Sequence, residues 1–155
     1  MDEKITKTFP NDRLFAAVLE ELSEGRSVTI PVKGYSMLPF IRQERDLVVL
    51  EKADGDIRPM DIVLFRYADR YILHRVVSIK DGRYAVQGDG VYRGWEYPSR
   101  EQILAKVSTI LKNGDKAVDP YSPGMLRQVK AWRSLGGLRR YILFIDRHLR
   151  KYHED

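Results

Sequence analysis

Apolar residues recur along this chain with two different periods, and these periods predict its elements. Spacings of three and four residues between Leu14 and Leu22 predict a helix from about residue 11 to 24, which Gly25 ends. Alternation at period two predicts strands at about residues 28–33, 46–51, 61–67, 70–79, 83–87 and 102–111. The predicted fold class is therefore mainly β, with helices before and after the strands.

Turn-forming residues divide the chain into four parts. The pair Asp81-Gly82 predicts a hairpin turn between two strands. Asn113-Gly114, Pro120 and Pro123 predict a linker. The predicted parts are an N-terminal helix packed on the core (1–26), a β-rich core (27–112), a linker (113–124) and a helical tail (125–155).

The tail is basic and amphipathic. From Tyr121 onward it holds eight Lys and Arg residues against three acids, which equals the whole net charge of +5 of the chain. One apolar seam is predicted there, formed by Leu135, Leu138, Ile142, Ile145, Leu149 and Tyr152. Gly136-Gly137 argues against a single uninterrupted helix.

Such a helix suits an anionic membrane surface or an acidic partner, and we expect residues 125–152 to bind one of them. The alternative is an ordinary helix that packs its seam on the body. Nucleic acid is not the expected partner.

Composition narrows the possible functions. With 155 residues, 43% of them hydrophobic, the chain suffices for one domain with a buried core. The absence of cysteine excludes disulfides, thiolate metal sites and a cysteine nucleophile, and it fits a cytoplasmic protein. Three histidines argue against a histidine-rich metal site, and no cofactor is expected.

The sequence predicts no membrane-spanning segment. Residues 1–10 lack the apolar stretch of a secretory signal. The longest apolar runs have four or five residues, whereas a transmembrane helix needs about 18. The expected location is therefore the cytoplasm, with a possible peripheral position at the membrane.

One candidate nucleophile stands in residues 34–39, Gly-Tyr-Ser-Met-Leu-Pro, directly after a predicted strand. Gly34 allows a sharp turn that exposes the Ser36 hydroxyl and leaves the Ser36 N–H free to bind an oxyanion. Met37 and Pro39 are expected to anchor this turn and to contact substrate. The alternative is that Gly, Ser and Pro serve turn geometry only.

His74 is the candidate general base, because an imidazole accepts a proton near neutral pH. It lies in a predicted strand whose period places Ile72, His74 and Val76 on one face. An imidazole among aliphatic residues is unusual there. The alternative is a half-exposed histidine without a chemical role.

A carboxylate should orient this imidazole, and two candidates follow it in the sequence. Asp89 lies in the segment Gly88-Asp89-Gly90, and Glu96 lies seven residues further on. We expect Asp89 to matter more than Glu96. The alternative for the Gly-Asp-Gly segment is a tight turn with a capping aspartate.

The order of the blocks after the serine resembles the serine peptidase clan of type I signal peptidases and LexA-like self-cleaving repressors. The resemblance covers roughly residues 30–112. Its four further blocks are Arg45-Asp46-Leu47-Val48-Val49, Met60-Asp61-Ile62-Val63-Leu64-Phe65, Leu73-His74-Arg75-Val76-Val77 and Gln87-Gly88-Asp89-Gly90. The His-Arg-Val sequence matches the endoplasmic-reticulum and archaeal type, in which a histidine replaces the catalytic lysine.

This resemblance implies a LexA/signal-peptidase-like β core with Ser36 as nucleophile and His74 as base. It also implies an extended peptide substrate beside the active-site strands, with small side chains before the scissile bond. Arg45 and Met60 stand where the family has glycine. Where the family has a further aspartate, this chain has Trp95 followed by Glu96.

The expected function is a serine endopeptidase that hydrolyses one bond of a precursor, leader or signal-like peptide. One alternative is a non-catalytic peptide- or membrane-binding module that keeps the fold. The other is a self-cleaving repressor, which ranks low because only 35 residues precede Ser36.

Overall fold

The computed structural model describes residues 11–151 and confirms a mainly β architecture with helices on either side of it in the sequence. Seven antiparallel strands form one sheet, and three α-helices accompany it. The elements are α1 (Asn11–Ser23), β1 (Val28–Pro31), β2 (Leu47–Lys52), β3 (Ile62–Tyr67), β4 (Arg70–Lys80), β5 (Arg83–Gln87), β6 (Ile103–Lys112), β7 (Lys116–Val118), α2 (Pro123–Ser134) and α3 (Arg139–Lys151). Six strands match their predicted positions to within two residues.

The strands are ordered β1-β2-β6-β3-β4-β5, and β7 pairs with β6. Strand β4 is long and changes neighbours along its length. Its first half, residues 70–75, pairs with β3, whereas its pairing with β5 begins only at Arg75. Within the described chain, residues 70–74 of β4 therefore have a strand on one side only, and so does β1, which pairs with β2.

The sheet buries apolar residues on both of its faces. In β3, Ile62 and Leu64 belong to a large cluster that also contains residues of α1 and α2, whereas Val63 and Phe65 belong to a smaller cluster. Neighbouring residues of a strand point to opposite faces. This is why β3 reads as a continuous apolar run rather than an alternating one.

Residues 113–124, predicted as a linker, contain strand β7. Asn113 and Gly114 both have left-handed backbone angles, with φ of 56° and 83°, as in the turns of tight hairpins. Asn-Gly therefore joins two paired strands here. The chain then returns to the core at the half-buried Tyr121, whose hydroxyl donates to the Val107 carbonyl at 2.6 Å and accepts from the Ile62 N–H at 3.1 Å.

The tail forms two α-helices rather than one. The Ser122 side chain caps α2 by accepting a hydrogen bond from the Met125 N–H, and Pro123 begins that helix. A short 3₁₀ turn, Gly136–Leu138, separates α2 from α3. Tyr152, assigned to the apolar seam, and residues 1–10, whose composition argued against a secretory signal, lie outside the described range.

Across residues 11–151, none of the helices has the length and apolar character that crossing a lipid bilayer requires.

Asp46 joins the loop after β1 to the β6–β7 hairpin. Its buried carboxylate accepts hydrogen bonds from the Arg42 N–H at 2.9 Å, the Asn113 N–H at 3.2 Å and the Arg45 guanidinium at 2.7 Å. Burial alone would raise the pKa of Asp46, but these donors and the Lys112 ammonium hold the pKa well below its usual range. The carboxylate thus stabilises the fold in its charged form.

Replacing Asp46 by Asn should lower the free energy of unfolding by about 3 kcal/mol at pH 7, because Arg45 and Lys112 lose the negative charge that they pair with. The folded pKa is depressed, so this contribution is complete above about pH 4 and is lost as the pH falls. Denaturant unfolding at several pH values should show the difference between the wild type and Asp46→Asn shrinking towards acid.

Asp54→Asn is the matched control, since that side chain is 75% exposed and pairs with the exposed Lys52 ammonium at 3.6 Å. It should change stability by no more than about 0.5 kcal/mol. Equal losses in the two variants would contradict the assigned role of Asp46.

Candidate active site

Ser36 lies in the loop of residues 32–46 between β1 and β2. Gly34 has a φ of 82°, a conformation that favours glycine, and its N–H donates to the Gln43 side chain at 2.8 Å. Met37 is 1% exposed and accepts from the Ile41 N–H through its carbonyl at 3.0 Å. The buried Met37 and the hydrogen bond between Gly34 and Gln43 therefore fix the loop, while Ser36 stays partly exposed.

Met37 and Pro39 were expected to contact substrate as well as to anchor the turn. The structure places Met37 in the main apolar cluster and Pro39 in a half-buried position, and neither lines the cavity beside Ser36. Their surroundings fit the anchoring role, because an apolar side chain buried in the core is not available to a ligand.

Ser36, His74 and Glu96 line one cavity of about 550 Å³. One wall comes from the end of β1 and another from the first half of β4. Helix α1 adds Leu14 and Phe15, and the Phe15 ring stacks on Tyr71 with centroids 4.3 Å apart. The cavity is thus lined mainly by apolar groups, with three reactive side chains among them.

Glu96 holds the imidazole of His74. The His74 Nδ1 lies 3.2 Å from the Glu96 Oε2. The backbone of Glu96 is itself fixed by two hydrogen bonds with Val86, of 2.9 and 3.0 Å. A carboxylate at Nδ1 sets the tautomer that leaves Nε2 free to accept a proton.

His74 is 6% exposed, and its burial lowers the pKa of the imidazole below the ordinary value. The negative charge of Glu96 and its hydrogen bond oppose this shift without cancelling it. The ring is therefore neutral at pH 7, which is the protonation state that a general base needs.

Gly88 brings the other edge of the imidazole close to the serine loop. A Cβ on Gly88 would overlap the Ser36 carbonyl oxygen, and it would lie 3.0 Å from both Nε2 and Cδ2 of His74. The Gly90 N–H donates to the same Ser36 carbonyl at 2.8 Å. The absence of a side chain at residue 88 is thus what allows Ser36 and His74 to approach each other.

Among the contacts of residues 11–151, no hydrogen bond joins the Ser36 Oγ to His74. The two side chains share a cavity wall, and direct proton transfer requires about 3 Å. The hydroxyl must therefore turn towards Nε2 for the pair to act. No acceptor within the described range takes the Ser36 N–H, so it is available to a ligand oxygen.

Asp89 lies at the centre of a buried ion cluster. Its two oxygens accept from the Arg75 guanidinium at 2.9 Å each, and Oδ1 also accepts from Arg133 at 3.0 Å. Arg75 and Asp89 are almost completely inaccessible to solvent. The carboxylate next to the imidazole is that of Glu96, and Asp89 instead fixes the Gly-Asp-Gly segment against which Ser36 packs.

Helix α2 supplies residues to this cluster that the sequence analysis did not identify. The Trp132 indole N–H donates to the Asp89 carbonyl at 2.7 Å, and Arg133 donates to the Gln87 carbonyl at 2.8 Å. One signal was present in the sequence. Arg75 follows His74 in a strand that is otherwise apolar, and a buried arginine requires carboxylates or carbonyls around it.

Neither a scan against protein-family models nor a search of curated proteins finds a match for this chain. Within residues 11–151, no three histidine, aspartate or glutamate side chains are grouped as metal ligands would be.

The protonation of His74 can be tested without an activity assay. Its pKa should lie below about 6.5, the ordinary value for histidine. Glu96→Gln should lower the pKa further, because it removes the negative charge that favours the imidazolium. An NMR titration of the imidazole C–H signals, assigned with His74→Gln, measures both values.

The control is Glu101→Gln, which removes an exposed carboxylate elsewhere and should leave the His74 titration unchanged. A rise of the His74 pKa in Glu96→Gln would contradict the contact between Nδ1 and the Glu96 carboxylate.

Proposed function

We propose that this protein is a serine endopeptidase with Ser36 as nucleophile, His74 as general base and Glu96 as the acid that orients it. The supporting observation is the shared cavity, in which Glu96 holds Nδ1 of His74 while the opposite edge of the ring faces the serine loop. Once the Ser36 hydroxyl turns towards Nε2, this is the order of groups that activates a serine nucleophile.

In this mechanism the Ser36 Oγ attacks the carbonyl carbon of a peptide bond while the His74 Nε2 takes its proton. Glu96 stabilises the imidazolium that forms, and the Ser36 N–H donates to the oxyanion. The imidazolium then protonates the leaving amine. Water attacks the resulting ester with His74 again as base, which releases the acid product and restores Ser36.

The open strand edges favour an extended peptide as substrate. β1 and residues 70–74 of β4 both line the cavity, and the strand pairing leaves one edge of each free within the described chain. A peptide strand can pair with such an edge through its backbone and place alternate side chains in an apolar cavity. A precursor, leader or signal-like peptide with small or apolar side chains meets these requirements.

The backbone at Met60 supports the resemblance to the signal peptidase and LexA-like clan. Met60 has a φ of 80°, a left-handed conformation that a residue other than glycine adopts rarely. The family has glycine at this point. Met60 thus adopts a backbone conformation that glycine takes readily, which favours the resemblance, and a LexA/signal-peptidase-like core remains our proposal for the fold.

The second candidate is a peptide-binding module that keeps the cavity without catalysis. It is favoured by one observation, the absence of a hydrogen bond between Ser36 Oγ and His74 among the described contacts. The two functions differ in whether a bound peptide is cleaved.

Ser36→Ala and His74→Ala should each lower cleavage by at least about 10³-fold, because nucleophile and base act as a unit. Glu96→Gln should lower it by about 10² to 10⁴-fold through loss of the orienting charge. Mass spectrometry of a defined peptide library incubated with each variant measures the rates.

Ser78→Ala is the matched control, since it removes an exposed serine hydroxyl from the distal half of β4. Cleavage by Ser36→Ala at the wild-type rate would refute the enzyme proposal. Binding of library peptides without cleavage by the wild type would favour the binding module.

Gly88→Ala should abolish cleavage, because its methyl group forces apart the Ser36 carbonyl and the imidazole. Gly124→Ala is the control, since a Cβ there meets no atom within 4 Å. Circular dichroism should show a folded protein in both variants. Full activity of Gly88→Ala would contradict the close approach of the two loops.

A further inference from the structure

Helix α3 carries an apolar surface that the rest of the described chain does not cover. Six large side chains of this helix and the turn before it are between 44% and 60% exposed. We call them the α3 patch: Leu138, Tyr141, Ile142, Phe144, Ile145 and Leu149. A cluster of exposed apolar residues on this scale marks an interaction surface rather than ordinary surface scatter.

The orientation of α3 is fixed by contacts on its other side. Leu143 is buried in the main apolar cluster, and Arg139 is buried beside the Asp89 carbonyl. Residues two apart in an α-helix point about 200° apart, so Tyr141 and Ile145 face away from Leu143. The predicted seam is therefore not the side that packs on the body.

Polar contacts hold the helix in this orientation. The Arg42 guanidinium pairs with Asp146 at 3.2 Å, and the Arg147 guanidinium lies 4.5 Å from the centre of the Tyr35 ring. Both contacts join α3 to the serine loop. A rotation that buried the patch would break them, so a brace against the body does not explain the exposed residues.

The border of the patch is basic. Arg140 and Arg147 are exposed beside Phe144, and together with Tyr92 they line a shallow depression next to the helix. Arg93 lies in a second depression with Tyr141 and Leu138. Apolar and aromatic groups with guanidinium groups at their edge match the arrangement of acyl chains and phosphates at a lipid surface.

We propose that the α3 patch docks the protein on an anionic lipid membrane. The apolar side chains enter the boundary between headgroups and acyl chains, and Arg140 and Arg147 contact lipid phosphates. A second copy of this chain is the less favourable occupant, because pairing two patches would bring their arginines together. A convex helix face also offers no groove for a partner helix.

Docking would place the candidate active site beside the bilayer. Val91 lines the cavity of Ser36 and His74, while the adjacent Tyr92 borders the α3 patch. If the proposed peptidase function is correct, which this step alone requires, the substrates are peptides presented at a membrane surface. The membrane contact itself stands independently of that reaction.

Co-sedimentation of the full chain with lipid vesicles tests the proposal. Vesicles with about 30% phosphatidylserine should bind the protein, pure phosphatidylcholine should bind it at least about tenfold less, and raising the salt from about 50 to about 500 mM should release it. Ile145→Ser combined with Leu149→Ser should weaken binding by about tenfold or more, because two apolar side chains no longer enter the membrane.

Charge reversal provides the matched comparison. Arg140→Glu should weaken binding by roughly 30-fold, whereas Lys116→Glu, the same change at an exposed position of β7, should have a much smaller effect. Thermal unfolding of each variant checks that the fold is intact. Vesicle binding is measured without a peptide substrate, so this result does not depend on whether the protein is a peptidase.

Three results would overturn the proposal. The first is that the wild type binds anionic and neutral vesicles equally well and that Arg140→Glu binds them as well as the wild type does. The second is self-association that Ile145→Ser with Leu149→Ser removes, without vesicle binding, which assigns the patch to a second copy. The third is retention on immobilised polyglutamate without vesicle binding, which assigns it to an acidic protein.

Discussion

The buried carboxylate of Asp89 is the interaction on which the candidate site depends. It lies between the Arg75 and Arg133 guanidinium groups, and Arg75 also donates to the Met60 carbonyl at 2.8 Å. β4, the Gly-Asp-Gly segment and α2 are thus joined at one charge. Removing Asp89 would leave the Arg75 and Arg133 guanidinium groups buried without their shared carboxylate, so the relative position of the three elements depends on this one side chain.

The two glycines that flank Asp89 turn this anchoring into active-site geometry. A Cβ at either position would press on backbone atoms of the serine loop, Ser36 O in one case and Tyr35 O in the other. The serine loop therefore packs at this distance only because residues 88 and 90 have no side chain. Asp89 supplies the fixed position, Gly88 and Gly90 supply the close approach, and Ser36 is placed next to the imidazole as a result.

Local sequence predicted those features that local physics determines. Alternating apolar residues located six strands, and Gly34 located the turn that carries Ser36. The choice between Asp89 and Glu96 was different, because it depends on which charges each carboxylate meets across the fold. Arg133 lies 44 residues from Asp89 in the sequence, and no spacing rule connects them. For the same reason the turn signal at Asn113-Gly114 was interpreted as a linker although it joins two paired strands.

The two helices of the basic tail have different roles, since α2 packs on the core and α3 exposes an apolar surface. In α2, Trp132 and Arg133 face the core and hold the segment on which the serine loop packs. In α3, the side chains of the α3 patch face away from the core, while Arg42 and Tyr35 hold the helix to that same loop. The position of α3 is therefore linked directly to the loop that carries Ser36. Periodicity identified the apolar seam, but whether it faced the core or the solvent depended on where Leu143 packs, which the seam itself does not reveal.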